Sequence, residues 1–202
     1  MSGRLEYSCT LTGASFLFFE FKKVVSLKQQ GLQESEIREK IRAENLFDYK
    51  VKSSIKRSLP SVLRRVDVLD GILKKMVIEK PLESGKTINL YAIMKTDRLF
   101  FEFMNEVIRD KFEHSDYLFE RKDVNGFIAS KVEQDATVAS WTDKTVNRLK
   151  QAYGKVLLDA GILKDRNKGE LSRILMDSEL KRHLVHIGDV AYVKAMGEWV
   201  SE

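Results

Sequence analysis

The chain has 202 residues, 43% of them hydrophobic and 32% charged, with only 2 prolines and 11 glycines, a composition that excludes a disordered or linker-rich polymer and supports one large domain or two small ones. Lys and Arg number 35 against 30 Asp and Glu, a formal net charge of +5, which favours a polyanionic partner without demanding one. The single cysteine, Cys9, excludes an intramolecular disulfide, and no stretch approaches the ~20 apolar residues that a membrane span requires.

From the N-terminus, Arg4 to Thr12 has no helical period and reads as an extended lead-in. Thr12 and Gly13 then read as a helix start, with Leu17, Phe18, Phe21, Val24, Val25 and Leu27 forming an apolar stripe that ends near Gln30 and Gly31. Glu20 and Lys22 interrupt the aromatic run, so no signal peptide is expected and the reducing cytoplasm is the natural setting. A second helix, Gln33 to Glu44, packs through Ile37 and Ile41.

Next comes the basic segment VKSSIKRSLPSVLRRV. Ile55, Leu59, Leu63 and Val66 share one helical face, but Pro60 within it predicts a kink, or a break with Pro60 in the first turn of a new helix. Asp67 to Val77 is another short helix, and Glu79 to Lys86 reads as a loop with Pro81 and Gly85 as breakers. Thr87 to Phe112 is the longest apolar-periodic segment, with a bend expected near Thr96 and Asp97. Its phenylalanines fit a core better than a platform for stacking bases.

Glu113 to Arg121 is polar and reads as the junction of two parts, an N-terminal helical domain over residues 1–115 and a C-terminal domain over residues 116–202. A helix over Lys122 to Asp135 and a turn over Ala136 to Ser140 lead to WTDKTVNRLKQAYGKVLLDAG, a helix capped by Thr142. Lys144, Arg148, Gln151 and Lys155 recur at i, i+4, i+7 and i+11 along one side, while Leu149, Tyr153, Val156 and Leu157 fall on the other. Ile162 and Leu163, a basic turn over Lys164 to Gly169, and then Leu171, Ile174 and Leu175 suggest a β-hairpin. Helix, turn, helix and cationic hairpin is the order of a winged helix-turn-helix, whose second helix enters the major groove while the wing touches the backbone. Two closing helices, Ser178 to Ile187 and Asp189 to Trp199, are separated by Gly188.

Positive charge is clustered rather than spread. Residues 48–80 hold nine cations against four anions, and residues 142–182 hold ten against six, which predicts two basic surfaces. Catalytic chemistry is hard to place. His183 and His186 lack further metal donors and read as surface or core-satisfied histidines, His114 is isolated, and Ser84 to Thr87 has only the tail of a phosphate loop. No cofactor or metal is expected.

The segments YSCTLTGASFLFFEF, KSSIKRSLPSVLRR, AIMKTDRLFFEFMNEVIRDKF and WTDKTVNRLKQAYGKVLLDAGIL, in that order, resemble the BrxA family of bacteriophage-exclusion (BREX) defence systems over nearly the whole chain. Pro60 departs from the uninterrupted helix expected there. The resemblance implies a mainly α, cytoplasmic protein, similar in part to the helical bundle of the antitermination factor NusB, with a DNA-binding role in phage defence. Residues and resemblance together predict a non-enzymatic component that binds double-stranded DNA. Lys144, Arg148, Gln151 and Lys155 face the duplex, Lys164, Arg166 and Lys168 lie on the wing, and Lys52, Lys56, Arg57, Arg64 and Arg65 form a second phosphate-contacting surface. The alternatives are an adaptor whose basic faces meet other BREX proteins, and NusB-like RNA binding.

Overall fold

The structure is a computed structural model, described over residues 5–200. Arg4 and the outer ends of the two expected domains lie outside that range. The architecture is mainly α with one small antiparallel sheet, and among the described residues no helix is long and apolar enough to cross a membrane.

Helix α1 spans Phe18–Gln29, starting later than Gly13 because the preceding backbone is held elsewhere. The carbonyls of Ala14 and Phe16 accept hydrogen bonds from Arg65, and Phe16 also accepts one from Asn89 at 2.7 Å. The lead-in contains a 3-10 turn, Thr10–Thr12. Gly31, at φ +86°, follows α1 in the left-handed conformation that glycine adopts without penalty. Helix α2 spans Glu34–Glu44.

Helix α3, Ser53–Asp67, runs through Pro60 as one helix, so of the two expected outcomes the break does not occur. Pro60 and Lys56 are both exposed, so the carbonyl that loses its amide partner is on the wet side of the helix, where water can serve it. The buried stripe of Ile55, Leu59, Val62, Leu63 and Val66 holds the helix together across that point.

Helix α4, Gly71–Glu79, and helix α5, Leu82–Thr96, are separated only by Lys80 and Pro81. The loop expected over Glu79 to Lys86 is therefore mostly helix. Pro81 serves as the N-cap residue, and Gly85 lies inside α5, where an added Cβ would come within 3.0 Å of the Phe18 ring. Gly85 is needed for close packing rather than for a turn. Ser84 and Thr87 are buried on this helix, which leaves no phosphate loop.

The expected bend falls at Asp97, whose Oδ1 accepts from the Phe100 amide at 3.0 Å and caps α6, Arg98–Phe103. A π-helical turn over Met104–Ile108 joins α6 to α7, Arg109–Glu113. Phe100, Phe103 and Phe112 are buried, as the sequence suggested. Helices α8, Arg121–Gln134, α9, Ala136–Ala139, and α10, Asp143–Asp159, follow. The short α9 replaces a plain turn because the Asp135 carboxylate accepts from the Thr137 and Val138 amides. Strand β1, Leu163–Asp165, pairs antiparallel with β2, Glu170–Leu171. Helices α11, Ser178–His186, and α12, Val190–Ala195, close the fold.

The buried apolar residues form one cluster from Tyr7 to Met196 that draws members from both sides of residue 115. Phe103 packs on both Phe127 and Tyr153, with centroids 5.5 and 4.9 Å apart. A polar link reinforces this junction. Glu102 accepts from Tyr7 and Lys131 at 2.7 Å each and from Arg98 at 2.9 Å. The Arg98 guanidinium also stacks on the Tyr7 ring at 3.9 Å. Burial pushes the Glu102 carboxyl up, but the bonds from Lys131, Tyr7 and Arg98 outweigh it and hold the group at about 2.

Candidate nucleic-acid interface

Helix α10 has the two faces its sequence requires. Leu149, Tyr153, Val156 and Leu157 are buried, whereas Lys144, Arg148, Gln151 and Lys155 are exposed. Thr142 caps the helix through a bond from the Thr145 amide at 3.3 Å. Lys144 and Arg148 have no ion-pair partner among the described residues, so their charge projects into solvent. Lys155 differs, because Asp159 accepts from it at 2.8 Å one turn along the helix. The basic stripe is thus strongest towards the N-terminal half of α10.

The hairpin follows α10 directly and packs against it. Its second strand is shorter than expected, ending at Leu171, so Ile174 and Leu175 lie outside the sheet. In compensation, residues 117–119 add a third extended segment. The Phe119 amide donates to the Gly169 carbonyl at 2.8 Å, the Leu171 amide donates to the Tyr117 carbonyl at 2.9 Å, and Leu118 bridges to Glu170. The spatial order is therefore 117–119, β2, β1. Gly169 makes this approach feasible: its φ is +69°, and a Cβ there would sit 2.3 Å from the Phe119 carbonyl oxygen. The segment read as a polar junction carried this pairing without an alternating pattern to reveal it.

At the hairpin tip the Asp165 carboxylate accepts from the Asn167 amide at 2.6 Å and the Lys168 amide at 3.2 Å, and these bonds hold its carboxyl below the usual range. Lys164, Arg166 and Lys168 are all exposed, but their charges differ in availability. Lys164 is paired with Glu170 at 3.2 Å. Arg166 folds back onto α10 and donates to the Gln151 carbonyl at 2.9 Å. Lys168 has no ion pair among the described residues and is the freest cation of the tip.

Lys52, which precedes α3, and Lys56, Arg57 and Arg64 on it are exposed. Arg57 and Arg64 make only weak bonds to Ser54 and Ser61, at 3.3 and 3.5 Å. Arg65 does not belong with them. It is 2% exposed and donates to the Ala14 and Phe16 carbonyls, and burial lowers its pKa to about 10. The one-residue step from Arg64 to Arg65 turns a side chain by about 100° around the helix, which carries it from the wet face into the core.

The two helices that carry the basic segments border a common element. The 3-10 turn Thr10–Thr12 packs against α10, while Thr12 shares a surface cleft with Arg57, and Thr10 shares a smaller one with Arg64. Separation in sequence hid this neighbourhood.

The histidines fall where expected. His183 contacts the Asp70 carboxylate at 2.6 Å, and His186 is exposed. No group of three or more His, Cys, Asp or Glu among the described residues is arranged to hold a metal ion.

A BrxA family model matches residues 5–188. A "BREX protein BrxA" of Bacillus cereus (strain H3081.97) is 40% identical over 188 residues, covering 93% of this chain and 94% of that protein. Another, from Paramagnetospirillum magneticum (strain ATCC 700264 / AMB-1), is 22% identical, covering 88% and 89%. The crystal structure of an uncharacterized protein from Magnetospirillum magneticum superposes with a TM-score of 0.84 at 20% identity, covering 95% of this chain and 98% of the other, and so shares the fold. With the family match spanning nearly the whole helical body and the sheet, the chain belongs to the BrxA family of BREX proteins.

Proposed function

We propose that this chain is a non-enzymatic, double-stranded-DNA-binding component of a cytoplasmic BREX phage-defence system. The observation that carries the reading is the exposed, unpaired Lys144 and Arg148 beside Gln151 on a helix that leads into a basic hairpin. With the strand-like segment 117–119 before α8, the order matches a winged helix-turn-helix. In this reading α10 lies in the major groove, with Gln151 near base edges. Lys144 and Arg148 grip phosphates, Lys168 touches the flanking backbone, and Lys52, Lys56, Arg57 and Arg64 extend the contact beyond the turn at Thr10–Thr12. Most of these contacts position the protein rather than read sequence.

The test is an anisotropy titration of a labelled duplex with wild type and Arg148→Glu across a salt series, with single-stranded DNA and RNA as competitors. Wild-type affinity should fall steeply with salt, the variant should bind at least tenfold more weakly, and the duplex should compete best. Equal affinity of variant and wild type would remove α10 from the interface. Stronger competition by RNA would favour a NusB-like role.

A further inference from the structure

The end of the described chain carries a second feature that the DNA reading does not use. Leu175 and Trp199 are 98% and 76% exposed, the two most exposed large apolar side chains among the described residues. Isolated exposed apolar residues are ordinary, but these two stand on a fixed platform. Arg173 donates to the Gly197 carbonyl at 2.6 Å and to the Phe112 carbonyl at 2.5 Å. Glu198 accepts from the Met176 amide at 3.3 Å and from Lys181 at 2.7 Å. Residues 173–176 are thereby tied alongside residues 197–198; Leu175 stands within the first run and Trp199 directly follows the second. Gly197 fits this arrangement as glycine: it stands at φ +83°, and a Cβ would lie 2.6 Å from the Phe112 ring.

Beside Trp199 is a crevice of about 150 Å³ whose walls join Phe112 and Val200 to the charged Arg109, Glu113, Arg173, Lys194 and Glu198, a volume on the scale of one large apolar side chain. Its charge is unbalanced. Arg109 is answered by Glu113 at 2.7 Å and Lys181 by Glu198. Arg173 spends its donors on carbonyls and stacks on Phe112 at 5.2 Å, and Lys194 has no ion pair among the described residues. Both carboxylates of the walls are thus taken up by other cations, which leaves Arg173 and Lys194 without a carboxylate partner among the described residues.

We propose that this platform docks an acidic peptide segment of a partner protein, with one apolar side chain in the crevice against Phe112 and Trp199 and a neighbouring carboxylate on Lys194, in the positive field of Arg173. An exposed tryptophan next to a side-chain-sized slot has the anatomy of an interface anchor, and the cations without a carboxylate partner select the charge of what it meets.

The experiment is selection of a displayed random dodecapeptide library on the full chain, with counter-selection on Trp199→Ala. Enriched peptides should share an apolar residue next to Asp or Glu, and as synthetic labelled peptides they should bind Trp199→Ala and Lys194→Glu at least tenfold more weakly than wild type. Duplex affinity of Trp199→Ala should stay within twofold of wild type, which separates this surface from α10. Four outcomes would overturn the proposal: no Trp199-dependent enrichment, enriched peptides without carboxylates, displacement of the peptides by a short duplex, or Trp199-dependent self-association in sedimentation runs without peptide.

Discussion

The Arg166 guanidinium of the hairpin lies over Gly154 of α10, 3.4 Å from where a Cβ would stand, and bonds to the Gln151 carbonyl one turn earlier. The same residue, expected from the sequence to reach for phosphate, fastens the hairpin to the helix. Arg166→Ala should cost about 1 kcal/mol of stability, the usual worth of a single such bond, and should speed amide exchange at the hairpin tip more than in α10. Deuterium exchange read by mass spectrometry checks this, and equal protection of wild type and variant would remove the clamp.

Arg64 and Arg65 should separate cleanly in mutants. Arg65→Met leaves the Ala14 carbonyl without its buried donor and should lower the urea midpoint by an amount worth about 2–4 kcal/mol. Arg64→Ala, on the exposed face, should stay within about 0.5 kcal/mol of wild type, while weakening duplex binding. Urea melts monitored by circular dichroism distinguish the two.

The stripe on α10 should be unequal in the salt dependence of DNA binding. Replacing Arg148 or Lys144 with alanine should reduce the slope of log affinity against log salt by about 1. Lys155→Ala should reduce it by less than half as much, because Asp159 already neutralises that lysine. Equal slopes for all three variants would mean that the ion pair opens on binding.

Two buried carboxyls should give stability opposite pH dependences. Burial pushes Asp97 up to about 6, against the bond from the Phe100 amide and the charge of Arg65, and its Oδ2 has no hydrogen-bond partner. The folded state therefore binds this proton more tightly than the unfolded chain does. Stability from Asp97 is present below about pH 4 and falls as pH rises to about 6, by roughly 2–3 kcal/mol. Glu102 is held at about 2, so its contribution is present above about pH 4.5 and is lost as pH falls towards 2, by roughly 2 kcal/mol after solvent screening. Asp97→Asn retains a capping oxygen and should flatten the upper limb, and Glu102→Gln should flatten the lower one. Thermal melts from pH 2.5 to 7 would show both.

The sequence was most legible where one periodicity governs one helix. The buried and wet faces of α10 follow from spacing alone, and so does the break at Asp97, because each depends on neighbours within a few residues. Pro60 and Gly85 misled for a common reason. Both are helix breakers by propensity, but tertiary context decides: Pro60 lies on a wet face that tolerates a lost bond, and Gly85 makes room for Phe18. Charge counting could not distinguish Arg64 from Arg65, nor an available Lys168 from a paired Lys164. Those differences rest on partners far away in sequence or across a turn, such as the Ala14 carbonyl and Glu170.

The bond between Tyr7 and Glu102 spans 95 residues, and its cluster is completed only by Lys131 on α8. On a ribosome adding about 5–20 residues per second, Tyr7 is made roughly 5–20 s before its carboxylate partner, and Lys131 comes later still. The lead-in therefore waits through most of synthesis for the surface that will hold it. Its docking belongs to the last stage of folding, and a bulky fusion at the N-terminus should act there, slowing the final step of maturation rather than the formation of the helices made first.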